Sequence, residues 1–152
     1  MGNALFYHLT RQPLEVTLPM LLEKSLERGW KVAVRGTDQG RLQQLDQQLW
    51  QGPIDGFLPH GIEGGPHDAE QPILLVSGTD AANGAACLMA VDGAEVSPAE
   101  VEALDRVCIL FNGHNPEAVQ AARVQWKTLT GAGCKAQYWS EEDGRWQKKA
   151  EA

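Results

Sequence analysis

The stretch RVCILF at 106–111, followed by NPEAVQAARVQWKTLTG at 115–131, decides the fold class. The first run is the most hydrophobic of strand length in the chain and reads as a central strand buried on both faces. In the second, Asn115 and Pro116 open a helix, Ala118, Val119, Ala122 and Leu129 recur on one face, and Gly131 closes it. A buried strand feeding a long amphipathic helix is half of a parallel-sheet unit.

The same rhythm runs outward in both directions. Ala4–His8 (ALFYH) and Trp30–Arg35 (WKVAVR) read as strands. Between them Thr17 caps a helix carrying Leu18, Leu21, Leu22 and Leu26, stopped by Gly29. Thr37 caps a second helix with Leu42, Leu45 and Leu49, ending near Trp50. Gly52 to Pro72 is rich in Gly, Pro and acids and reads as a long loop. Pro72–Ser77 (PILLVS) and Ala86–Val91 (ACLMAV) are further strands. Ser97, Pro98 and Glu100 form a capping box that opens a short helix to Leu104. Cys134–Trp139 is a last strand, with residues 141–152 as a hairpin or flexible tail. Right-handed crossovers then give an α/β fold of three layers, α/β/α, around a mostly parallel central sheet. One domain over 1–152 is expected.

Composition agrees. At 152 residues, 43% hydrophobic and 22% charged, the chain is an ordinary globular one and not a fibrous or disordered one. It has no apolar run of membrane-spanning length, and MGNALFYHLT lacks the basic start and apolar stretch of an export leader. Met-Gly opens the chain, but Phe6 stands where myristoylation needs Ser or Thr. Three cysteines, Cys87, Cys108 and Cys134, without CxxC spacing fit reduced, buried thiols. A cytoplasmic protein is expected.

Net charge is −7, which disfavours tight direct binding of DNA. Eleven acids and no Lys or Arg lie between Leu42 and Asp105, whereas six bases face five acids from Asn115 to the end. Either the surface is unevenly solvated, or an anionic partner binds at this C-terminal quarter.

Catalytic motifs are missing. No G-x-x-x-x-G-K-[ST] occurs, and no G-x-G-x-x-G follows the first strand. Gly36-Thr37 leads into a helix start but has no Lys in the turn, so a tight capped turn explains it. His8, His60, His67 and His114 lack metal-ligand spacing, and no G-x-S-x-G elbow is present. No cofactor and no metal are expected. His60 and His67 do share the 52–72 loop with Glu63, Asp68 and Glu70, either as a solvated loop or as a loose metal or acid–base cluster.

Two features stand out. On the helix from Asn115, Arg123 and Lys127 are four residues apart and form a cationic ridge beside Trp126. That arrangement suits a short peptide with one apolar anchor and a carboxylate, and equally a rim tryptophan covered by two long stems. The second feature is Trp50 followed by Phe57-Leu58-Pro59-His60, either a lid on the core or a contact patch for a protein.

The order of these elements resembles the chi subunit of bacterial DNA polymerase III, a clamp-loader accessory protein. Phe6-Tyr7, Leu45-Asp46 through Leu49-Trp50, Phe57-Leu58-Pro59-His60, Ala122-Arg123, Trp126-Lys127 and Ala132-Gly133 carry the resemblance, which spans essentially the whole chain. It implies a non-enzymatic fold, similar to nucleotide-binding folds but without a phosphate loop. It also implies two protein surfaces. One takes the acidic, Phe-ending C-terminal tail of single-stranded DNA-binding protein (SSB) and falls on Arg123, Trp126 and Lys127. There Arg123 pairs with the terminal carboxylate, Trp126 packs on the Phe ring and Lys127 attracts the acids. The family often has Tyr at Trp126, a basic residue at Val119 and an apolar one at Asn112, so the pocket is expected to be weaker or differently arranged. The other surface, Trp50, Phe57, Pro59 and His60, matches the contact with the psi subunit, and serves a helicase or closes the core where psi is missing. The alternative is a degenerate nucleotide-binding enzyme using the loop 61–68.

Overall fold

The computed structural model describes residues 3–10, 14–50, 60–77, 83–142 and 145–151. Strands β1 (Asn3–Leu9), β2 (Val32–Arg35), β3 (His60–Ile62), β4 (Ile73–Val76), β5 (Cys87–Ala90), β6 (Arg106–Asn112), β7 (Lys135–Glu142) and β8 (Arg145–Glu151) form one sheet in the order β3-β4-β2-β5-β6-β1-β7-β8. All neighbours are parallel except β7 and β8, which close the C-terminus as an antiparallel hairpin. Helices α1 (Leu14–Glu27), α2 (Gln39–Trp50), α3 (Pro98–Ala103) and α4 (Pro116–Gly131) flank it.

Alternation along the strands divides the interior into two cores. Leu9, Val32, Val34, Ile73, Leu75, Met89 and Leu110 point to the face covered by Leu18 and Leu22 of α1 and Leu42, Leu45 and Leu49 of α2. Ala4, Phe6, Leu74, Leu88, Val107, Ile109, Phe111 and Ala136 point to the other, covered by Val101 of α3 and Ala122 and Leu129 of α4. This is the expected three-layer α/β/α arrangement. Each fully buried Leu, Ile or Phe contributes about 1.5–3 kcal/mol relative to exposure.

Several boundaries depart from the sequence-based expectation. Helix α1 starts at Leu14, and Thr17 lies buried within it instead of capping it. Leu14 extends the Leu18–Leu22 stripe back by one turn, and its burial draws that turn into the helix. The start of α2 is held by Asp38, whose Oδ1 accepts the Arg41 amide at 2.8 Å, and not by Thr37. The stretch read as a loop from 52 to 72 contains β3 and a 3₁₀ turn at Asp68–Glu70. Three residues at a sheet edge are too short for a periodic signal, and pairing with β4 makes them a strand. Residues 51–59 lie outside the described part. The tail is the hairpin β7–β8, pinned by Trp146, which stacks edge-on against Tyr7 at 5.4 Å.

The caps of α3 and α4 form as expected. Ser97 and Glu100 exchange side-chain and backbone bonds in a full capping box. Arg35, buried at the end of β2, donates Nη1 to Glu100 Oε1 at 3.0 Å and to the Glu95 carbonyl at 2.9 Å, and its Nη2 bonds Glu100 Oε2. The Arg35 guanidinium holds the Glu100 carboxyl below its ordinary range. Asn115 caps α4, its Oδ1 accepting the Glu117 amide at 3.0 Å and the Ala118 amide at 3.4 Å. Cys87, Cys108 and Cys134 are free and buried.

Candidate functional site

Helix α4 crosses the face of the sheet formed by β6, β1 and β7. The register sets Phe6 opposite Ile109 on one side and Tyr138 on the other, and His8 opposite Phe111. Even-numbered residues of β1 and β7 therefore face α4, and a cluster of rings fills the space beneath it. Trp126 of α4 stands edge-on to Phe6 at 5.4 Å between centroids and to Tyr138 at 6.1 Å. His8 leans on Phe111 at 5.1 Å, and Phe111 on Tyr138 at 5.9 Å. Phe6 is wholly buried, while Trp126, His8 and Tyr138 are half-buried and continue the cluster to the surface.

Arg123 and Lys127 stand exposed on α4 beside Trp126, one turn apart, and neither joins an ion pair among the described residues. Arg123 lies near enough to His8 and Tyr138 to lower the pKa of both groups. Burial outweighs it at Tyr138 and pushes the phenol up, so Tyr138 keeps its proton at neutral pH. Val119 is half-buried and packs on the α4-side core, and Asn112 ends β6 exposed, its Oδ1 accepting the His114 amide at 2.9 Å. The structure thus brings Arg123, Trp126 and Lys127 together over a ring cluster, with Val119 one turn earlier on the same helix. Such a patch offers a half-buried aromatic surface beside two uncommitted cations, the chemistry that suits an anionic segment with an aromatic or aliphatic anchor.

Phe6, His8, Phe111 and Tyr138 were not picked out from the sequence as site residues. Their signal was the even-numbered parity of ALFYH and KAQYW, which becomes informative once β1 is known to pair with β7.

The other expected surface is described in part. The backbone of Trp50 ends α2, and Phe57 and Pro59 lie outside the described residues. His60 is buried at 6% exposure, with Nε2 3.1 Å from Asp46 Oδ1 and 3.2 Å from the Asp46 carbonyl. It ties the start of β3 to α2 and does not present its ring to solvent.

Nothing in the 61–68 segment offers a phosphate cradle. Asp68 already takes the Gly64 amide at 2.8 Å and the Gly65 amide at 3.0 Å. Glu63 accepts from the amide and hydroxyl of Ser77. Beyond α4, a cleft of about 820 Å³ opens at the C-terminal ends of β5 and β6, where doubly wound sheets bind ligands. On its rim Arg41 Nε donates to Asp92 at 2.7 Å, and Asn115 is spent on the α4 cap. Among the described residues no group of three metal-ligating side chains converges, and no helix is long and apolar enough to cross a membrane.

Comparison with known proteins places the chain in a family. A protein of Rickettsia prowazekii (strain Madrid E) named probable DNA polymerase III subunit chi is 25% identical over 91 residues, 60% of this chain and 55% of that protein. The match spans about half the length of that curated relative. The family model described as DNA polymerase III chi subunit, HolC, matches residues 1–137, most of the chain. The chain belongs to the DNA polymerase III chi subunit family.

Proposed function

We propose that this protein is a non-catalytic replication accessory subunit that links the polymerase III clamp loader to SSB by binding its acidic C-terminal tail. The observation that carries the reading is the pair of exposed, uncommitted cations, Arg123 and Lys127, beside Trp126 over a partly open ring cluster. Arg123 pairs with the terminal carboxylate, Trp126 and its ring neighbours seat the Phe side chain, and Lys127 draws in the preceding acids. The acidic stretch between Leu42 and Asp105 repels DNA phosphates and leaves this corner as the attractive one for an anion. Val119 and Asn112 add no charge to the patch, so affinity rests on few contacts. We assign a second binding role, for the psi subunit or a helicase, to Trp50, Phe57 and Pro59, next to His60, which ties β3 to α2. The protein works in the cytoplasm, at the replisome.

The test is calorimetric titration with a short acidic peptide ending in Pro-Phe, at low and high salt. The expected result is micromolar binding that weakens with salt and falls about 30-fold or more in a folded Arg123→Ala protein. Undetectable binding by the wild type at low salt sinks the reading.

A further inference from the structure

His8 lies near the C-terminal end of β1, among the rings beneath α4. Its Nδ1 is 2.6 Å from Tyr138 Oη. Its other edge, Cδ2 and Nε2, packs against the Gly113 backbone. A Cβ at Gly113 would stand 2.0 Å from ring Cδ2 and 2.1 Å from Nε2, so the chain can pass over His8 only as glycine. The ring is therefore held from two sides.

These contacts set the direction of each hydrogen bond. Gly113 lies against Nε2 and favours the charged form of His8, so the neutral ring carries its proton on Nε2, towards that backbone. In the neutral ring the remaining nitrogen, Nδ1, is an acceptor, and the Tyr138 O–H must donate to it. The single proton of Tyr138 is thereby spent inward. The titratable and charged groups facing His8 among the described residues are Tyr138 from β7, His114 from the turn after β6, and Arg123 from α4. Burial, followed by the charges of His114 and Arg123, holds the His8 pKa below its ordinary 6.5, and the ring is neutral at pH 7.

We infer that His8 and Tyr138 make carboxylate binding at Arg123 proton-linked: when an anionic peptide end docks, His8 takes a proton from solvent and Tyr138 turns its hydroxyl outward to the carboxylate. This rests on the peptide-binding reading above. In the charged ring Nδ1–H donates to Tyr138 Oη, and the phenol proton is released for an outside acceptor. Only hydrogen bonds are exchanged, and the net change is one proton gained. In the free protein a positive His8 is opposed by Arg123, and an incoming carboxylate offsets that repulsion. Its pKa is then higher in the complex than in the free protein, and affinity rises as pH falls through the complex value. Peptide carboxylates remain ionised above about pH 5, so the window below neutrality reports on histidine.

The experiment titrates the same acidic, Pro-Phe-ending peptide at about pH 7.5 and about pH 5.5, in buffers of different ionisation enthalpy. Binding is expected to be about three- to tenfold tighter at the lower pH, with net proton uptake, one pKa unit corresponding to tenfold. That ratio falls to near one in His8→Gln and in Tyr138→Phe, and persists in His114→Gln. Wild-type binding that depends on Arg123 but shows equal affinity and no proton uptake overturns the linkage and leaves the peptide reading standing. So does a ratio that survives in both His8→Gln and Tyr138→Phe. Undetectable binding at both pH values overturns the peptide reading, and the linkage with it.

Discussion

His60 and His8 are strand histidines at opposite sides of the sheet, and their surroundings use them differently. At the β3 edge, His60 is buried and bonded to both the carboxylate and the carbonyl of Asp46. At the α4 side, His8 is half-buried, bonded to a half-buried phenol, and shadowed by a cation with no ion partner among the described residues. The first arrangement satisfies its polar atoms internally and holds α2 to the sheet. The second also engages both ring nitrogens, but it does so beside Arg123, an exposed cation with no ion partner among the described residues, whose charge a ligand can complete. A residue type therefore says little about role; what decides it is whether the charges around it are already compensated.

The comparison can be broken most severely from beneath. Phe6→Ala removes a wholly buried ring that supports Trp126, and a loss of about 3–5 kcal/mol is expected in chemical denaturation, together with loss of peptide binding. A cost below 1 kcal/mol would show that the α4 cluster is not packed as described. His60→Ala tests the sealed side. Removing a buried partner of Asp46 is expected to cost about 1–3 kcal/mol while peptide affinity stays as in the wild type. A large change in affinity would couple the two regions and contradict their separation.

Acid sharpens the contrast. Because the folded-state pKa of His8 lies below its ordinary 6.5, the unfolded chain binds more protons in that interval. Its contribution is fully present above 6.5 and is lost as pH falls through the lower, folded value. Thermal melts between about pH 7 and about pH 5 should show a shallow decline that His8→Gln flattens. A decline unaltered by His8→Gln would assign it elsewhere. The smallest effect belongs to Lys127→Ala. This residue is exposed and unpaired, so stability should change by less than about 0.5 kcal/mol. Peptide affinity should drop about two- to fivefold at low salt, with the difference vanishing at high salt.

Much of the scaffold was legible before any coordinates. RVCILF became the buried strand β6, and the Ser97 box and the Asn115 cap formed where their residue types placed them. Boundaries failed where tertiary burial overrode a local signal, as at Thr17, which looked like a cap but sits inside α1. The edge strand β3 was hidden because three residues have no period and only the neighbouring β4 makes them a strand. At the site, the α4 half was legible and the β half was not.

That division has a physical cause. Residues four apart on a helix are neighbours by geometry alone, so the sequence by itself determined that Arg123 and Lys127 flank Trp126. It likewise determined the acidic body and the basic C-terminal quarter, since charge is a property of composition. What lies under that helix was decided by the order of strands, which seats β1 between β6 and β7. Only that pairing joins His8 to Tyr138, 130 residues away in the chain. Strand register is selected by burying one face against α4 and the other against α1, a choice made by the whole core at once.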